Sequence, residues 1–106
     1  MQDDPLPVLE FAHAVFLDGR NTTVRRGTRW LGVPAARLRL ADGSLSPPVT
    51  LETGQRVFRD LDEAALRFEH GPDCRTPTGL FARLSIHYPG FSEDEVVTLC
   101  HFSWPD

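Results

Sequence analysis

Six arginines, Arg20, Arg25, Arg26, Arg29, Arg37 and Arg39, fall between residues 19 and 41, a window without a single Asp or Glu. A guanidinium fork binds phosphate or carboxylate bidentately and stacks on bases, so this window is the first candidate for a site. Trp30 follows Thr28-Arg29. Exposed among arginines, its indole would stack a base; buried, it would close the end of a barrel, and the sequence leaves both readings open. The rest of the chain holds the other five arginines against all 15 acids, so positive charge is local within a chain of net charge −4. Local charge favours a site over a whole-surface field, and proteins that coat nucleic acid are usually basic throughout. All 11 basic residues are arginine, and arginine stays protonated and cannot act as a base.

The remaining reactive side chains are scattered. Cys74 and Cys100 lack CxxC spacing, and His13, His70, His87 and His101 stand singly, so no metal-ligand cluster and no cofactor are expected. Two free thiols suit a reducing compartment. His101 lies in a strand pattern, where a hydrogen-bonded core role is expected. Tyr88 is expected to pack, with its hydroxyl free to join a site. No apolar run approaches the roughly 20 residues that span a bilayer. The start Met1-Gln2-Asp3-Asp4-Pro5 is acidic where a secretory signal is basic and then apolar. A cytoplasmic location without a membrane partner is the expectation.

These residues need elements to position them. The 106 residues, 41% hydrophobic and 25% charged, fit one globular domain, with residues 1–7 as a loose arm and 8–106 as the domain. Apolar positions at Val8, Phe11, Ala12, Val15 and Phe16 predict a helix from Val8 to Leu17, closed by Gly19. Strands are predicted over Asn21–Arg26, Ala36–Leu40 and Val49–Thr53, with Gly54 at a bulge or bend and Arg56–Phe58 as a continuation. Asp60 with Glu63 reads as a capping box opening a second helix that Gly71 ends. Thr76-Pro77 opens a third, stopped by Pro89-Gly90. Glu95–Trp104 is apolar on both alternating faces and predicts a central strand. The order, without a βαβ rhythm, implies an α+β fold: a small curved, mostly antiparallel sheet or β-barrel with about three short helices.

Four segments together resemble the ASCH domain family, small β-barrels related to the PUA fold. They are the run into Gly19-Arg20-Asn21-Thr22-Thr23-Val24-Arg25-Arg26-Gly27, the Phe58-Arg59-Asp60-Leu61 helix entry, Leu80 to Tyr88-Pro89-Gly90, and the closing strand Val96–Phe102. The resemblance covers most of residues 8–104. It implies a PUA-like fold and an association with RNA. Compact single-domain bacterial members include acetylcytidine amidohydrolases, whose site resembles Gly-x-Lys-x-x-Thr-x-Arg plus a later Glu. Laid without a gap, Gly19 and Arg26 match, while Asn21 and Val24 stand at the lysine and threonine positions. With one deletion, Thr23 and Arg25 match instead. No lysine is supplied in either register. Glu69 is the positional match for the acid.

Three uses follow. As a binding module, a cleft built from Arg20, Asn21, Thr22, Arg25, Arg26, Arg29, Trp30 and Tyr88 would hold RNA, a nucleotide or a modified nucleoside. As an amidohydrolase on an acylated nucleoside, Thr23 would be the nucleophile, Glu69 the base and an arginine the charge stabiliser. As an interaction module, Arg37 and Arg39 would meet the acidic run Ser92-Glu93-Asp94-Glu95 of a second copy in a homodimer. Arg25 and Arg26 are neighbours on a strand and must face opposite ways; the gapped register pairs Arg25 with Thr23 on the cleft side and puts Val24 in the core.

Overall fold

The computed structural model describes residues 6–11 and 16–104. Its strands are β1 (Val8–Glu10), β2 (Gly19–Arg26), β3 (Ala35–Arg39), β4 (Val49–Thr50), β5 (Glu52–Val57) and β6 (Val96–Trp104). The helices are α1 (Glu63–Leu66) and α2 (Pro77–His87), with 3-10 turns at Phe58–Asp60 and Pro72–Cys74. Two three-stranded sheets result, ordered β1-β3-β4 and β2-β6-β5.

β6 is the central strand, with β2 antiparallel on one side and β5 antiparallel on the other. Its pattern explains the position: Val97 and Leu99 face one apolar cluster, Cys100 and Phe102 the other. The segment 49–57 joins the sheets. It pairs with β3 at Val49–Thr50, turns at buried Leu51, and then pairs with β6. The bend falls at Leu51, whose N–H still bonds the Pro34 carbonyl, while Gly54 sits in register opposite Leu99 without a bulge. Read through this bend, the strands run β1-β3-β4/β5-β6-β2. The ends, β1 and β2, are not paired, so the barrel expected from sequence is left open along one seam.

Residues 8–10 correct the helix predicted from Val8. They form a strand parallel to β3, with Val8 opposite Arg37 and Glu10 opposite Arg39; residues 12–15 of that prediction lie outside the described residues. Pairing won over periodicity because Leu9, absent from the helical stripe, is fully buried between the sheets. The ladder continues past both ends, from Arg37 N–H to the Pro7 carbonyl and from Phe11 N–H to the Arg39 carbonyl.

The second helix is shorter than its pattern. Asp60 lies in a 3-10 turn, and Asp62 is the cap, accepting from Ala65 N–H at 2.9 Å. α1 then stops at Leu66, because the following backbone bonds the open edge of β2: Thr22 N–H donates to the Phe68 carbonyl at 2.7 Å and His70 N–H to the Thr22 carbonyl at 3.1 Å. An edge strand presents a row of unpaired backbone groups, and residues 68–70 cover part of that row.

α2 follows its sequence signals. Thr76 Oγ1 accepts from Gly79 N–H at 3.1 Å, and Pro77 fills the first turn. Leu80 and Leu84 bury themselves in the cluster of Val24, Phe58 and Leu66. Gly79 is required for a packing reason. A Cβ there would fall far inside van der Waals contact with the Asp73 carbonyl, so this glycine lets the Pro72–Cys74 turn lie against the helix. Gly79→Ala is therefore expected to destabilise the protein by about 1–3 kcal/mol, although alanine is the better helix former by about 1 kcal/mol. Urea denaturation measures it; a neutral or stabilised variant would show that the turn does not press on α2.

Candidate functional site

The open seam is a cavity of about 890 Å³. β2 contributes Thr23, Val24 and Arg25; the other sheet contributes Glu10, Phe11 and Arg39; Glu69–Gly71 and the turn after it contribute a third side; Leu80, Arg83, Leu84, His87 and Tyr88 on and after α2 close the fourth. The volume lies in the range of small-molecule sites.

Arg25 spans the seam. Its Nη2 donates to the Glu10 carbonyl on β1 at 2.8 Å, and its guanidinium lies 4.9 Å from the centre of the Phe11 ring. Burial lowers its pKa, against the pull of Cys100, Tyr88, Glu69 and Glu10. Glu69 is 2% exposed. Burial raises its carboxyl pKa to about 7, and hydrogen bonds from backbone N–H groups with the charges of Arg25 and Arg75 only partly restore it. Its Oε1 accepts from Gly71 N–H at 2.9 Å and lies 3.3 Å from His70 Nε2. Burial pushes His70 down to about 4, with Arg25, Arg75 and Arg83 adding to the effect, so near neutral pH the imidazole is neutral. Two buried side-chain nitrogens stand without a partner among the described residues, Arg25 Nε and His70 Nδ1. The two residues that carry them, Arg25 and His70, both line this one cavity.

Of the residues singled out from sequence, the structure brings Thr23, Arg25, Glu69 and Tyr88 together in the lining. It separates the others. Asn21 is fully buried and structural, accepting from Leu17 N–H at 2.7 Å and donating to the Leu17 carbonyl at 2.8 Å. Thr22 is 1% exposed, with its hydroxyl 2.8 Å from His101 Nδ1. Arg20 lies over Phe68 and borders a separate cavity of about 100 Å³ with His101 and Glu52. Arg26 turns to the opposite side from Arg25, bonding Glu95 at 2.5 Å and lying over the Tyr88 ring. Arg29 is exposed away from the cavity. Trp30 is buried among Leu9, Leu38 and Phe102 and is unable to stack an external base. The +6 window is thus not one cationic cleft.

Two of the three acids proposed for a dimer contact are engaged within the chain, Asp94 with Arg59 and Glu95 with Arg26, and Arg39 takes Glu10 instead at 2.7 Å. Sequence reading missed His70, Cys74, Arg83 and the wall from β1. His70 had a signal, its place beside Glu69 and before Gly71; the wall had none, since its strand was read as a helix. Among the described residues no group of three or more His, Cys, Asp or Glu is placed to hold a metal ion, and no helix is long and apolar enough to cross a membrane.

Fold and site together define an α+β protein with a ligand-sized cavity where two strand edges fail to pair. No family model, curated protein or solved structure matches the chain.

The two cavity titrations oppose each other. The folded pKa of Glu69 lies above the ordinary 4.5, so its contribution to stability is full at low pH and is lost as pH rises through about 7. The folded pKa of His70 lies below the ordinary 6.5, so its contribution is lost as pH falls from there towards about 4. Glu69→Gln keeps an acceptor for Gly71 N–H and removes the first titration. It is expected to exceed the parent in stability at pH 8 by about 1–3 kcal/mol, and to lose most of that advantage at pH 5. Denaturant melts at the two pH values measure it; a constant difference would mean Glu69 is ionised throughout.

Proposed function

We propose that the protein binds a modified nucleoside or nucleotide in the seam cavity, as the ASCH-like reading of the sequence implies. The observation that carries this is the pair of unpaired buried nitrogens, Arg25 Nε and His70 Nδ1, in the lining of one ligand-sized cavity. Buried polar groups are almost always hydrogen-bonded, so two left over at the same place are spare bonding capacity. With the imidazole proton on Nε2, towards Glu69, His70 Nδ1 is an acceptor and Arg25 Nε–H a donor. A base edge or amide, which offers acceptor and donor side by side, complements that pair. Both nitrogens are buried, so a ligand in the cavity reaches them only once one of the side chains turns. Phe11, Leu80 and Leu84 supply apolar walls, and Arg39 and Arg83 supply charge for a phosphate.

The test is titration calorimetry with cytidine, N4-acetylcytidine and their monophosphates. Arg25→Ala is expected to weaken binding by about 1–3 kcal/mol, and Arg26→Ala by much less, since Arg26 serves Glu95 and not the cavity. Equal effects, or no binding by any of the four compounds, would sink this reading.

A second reading, hydrolysis of an acyl group from such a nucleoside, draws on one further observation: Glu69 loses its proton near neutrality, where a general base works best. Glu69 would take a proton from water or from the Thr23 hydroxyl and return it to the exocyclic nitrogen as the C–N bond breaks, and Arg25 would face the developing oxyanion. Thr23 is only 3% exposed, which favours water as the attacking oxygen. Acetate release should then rise with pH to a plateau above about 7, and vanish in Glu69→Gln; a flat profile would exclude Glu69 as base.

A further inference from the structure

The floor of the seam cavity holds one fixed charge and one that can be removed. Arg25 carries the fixed charge, its Nη2 committed to the Glu10 carbonyl and its Nε uncommitted. Glu69 carries the removable one. Its Oε1 accepts from Gly71 N–H, and a backbone hydrogen bond from Val24 also reaches the carboxyl; a proton on Oε2 would be the one donated to a ligand. His70 adds no charge near neutral pH, because burial and the surrounding guanidiniums keep it unprotonated.

We propose that this cavity takes planar carboxylic acids as their anions, and that each anion binds together with one proton on Glu69. The inference rests on the cavity being a ligand site, as proposed above, and adds a ligand class and a proton linkage. An entering carboxylate meets Arg25. Arg39 and Arg83 at the rim are paired with Glu10 and Asp73, so if Glu69 is ionised the floor of the cavity sets two carboxylates against the one guanidinium of Arg25, which repels strongly. If Glu69 is protonated, the cavity holds one ion pair, and Glu69 O–H donates to the ligand oxygen in a charge-assisted hydrogen bond. The proton comes from solvent, no covalent bond breaks, and the net charge brought in is zero. The ring of the acid lies on the apolar walls formed by Phe11, Leu80 and Leu84.

Other charged groups around Glu69 do not supply this linkage. Arg75 donates to the Glu69 backbone carbonyl at 2.9 Å and stays charged. Cys74 is held neutral, its pKa raised by burial and by Glu69. Arg83 on α2 leans towards Asp73 at 3.8 Å. From β1, Glu10 is paired with Arg39, and Tyr88 beyond α2 lies under Arg26. His87 lines the cavity from the last turn of α2, is exposed to solvent and stands beside Tyr88; His87→Gln is the control for it.

Benzoate and its neutral isostere benzamide are the probes, titrated into the whole protein by calorimetry at pH 6 and pH 8. Because Glu69 titrates at about 7, benzoate is expected to bind about tenfold more weakly at pH 8, while benzamide shows little or opposite change. Repeating the pH 8 titration in two buffers of different ionisation enthalpy should show close to one proton taken up per benzoate, a measurement that needs no variant. Glu69→Gln should bind benzoate with equal affinity at both pH values and release or take up no proton, whereas in His87→Gln the proton uptake and the tenfold pH dependence should persist, whatever its affinity. Absence of benzoate binding, binding without proton uptake, or a linkage that persists in Glu69→Gln would each overturn the proposal. Nucleoside binding alongside any of those results would leave the function proposed above standing; benzoate binding with proton uptake but no nucleoside binding would do the reverse.

Discussion

The arrangement depends on one guanidinium in a seam. A barrel closes when its first and last strands pair, and closure removes every exposed edge. Here β1 is three residues long and β2 eight, and they do not meet. Arg25 reaches from one to the other, donating to the Glu10 carbonyl and lying on the Phe11 ring. Its partial burial carries a desolvation cost, which lowers its pKa. A hydrophobic residue of similar volume would fill the space and close the seam with less cost. Keeping a cation there keeps the seam polar and open.

The same seam decides the state of its neighbours. The edge of β2 would be a liability unpaired, and residues 68–70 cover it by backbone bonds at Thr22. That pairing carries Glu69 inward, where its Oε1 lies 3.3 Å from His70 Nε2 and its carboxyl feels the charge of Arg25. Two adjacent residues then shift in opposite directions for one reason: burial disfavours the charged form of each, which for an acid means a higher pKa and for an imidazole a lower one. Arg25 and Arg75 moderate the first and reinforce the second.

Much of the scaffold was legible in the sequence. The central strand Val96–Trp104 showed two apolar faces, and α2 carried its cap, its Pro and its stop in order. The strictly alternating pair Leu38 and Arg39 also read correctly. What failed did so where tertiary pairing overrode local pattern. Val8–Glu10 has helical spacing but pairs with β3, and residues 67–70 continue a helical stripe but pair with β2. The site was legible in part, because alternation alone separates Arg25 from Arg26 and puts Thr23 on the side of Arg25. Charge density misled. Six arginines close in sequence look like one patch, yet alternation and position along the single strand β2 send Arg20, Arg25 and Arg26 to three different neighbours. Trp30, at an arginine-rich stretch, is held by a core that only the second sheet creates.

The absence of lysine narrows what the cavity can do with protons. Every basic residue is a guanidinium, which remains charged across the accessible pH range. His101 has Nδ1 tied to the Thr22 hydroxyl in a different part of the sheet. His70 is held neutral down to about 4, and burial pushes the Cys74 thiol upward. At the cavity floor, then, Glu69 is the group whose charge changes near neutrality. A site built from lysine and glutamate can divide base and acid roles between them. With arginine in place of an amine, the cation is a fixed electrostatic anchor, and among the described residues the one buried carboxyl, Glu69, is the group left to take up or release a proton. That division of labour, a permanent charge on β2 and a variable one on the segment covering its edge, follows from residue type and from the open seam together, and neither alone would produce it.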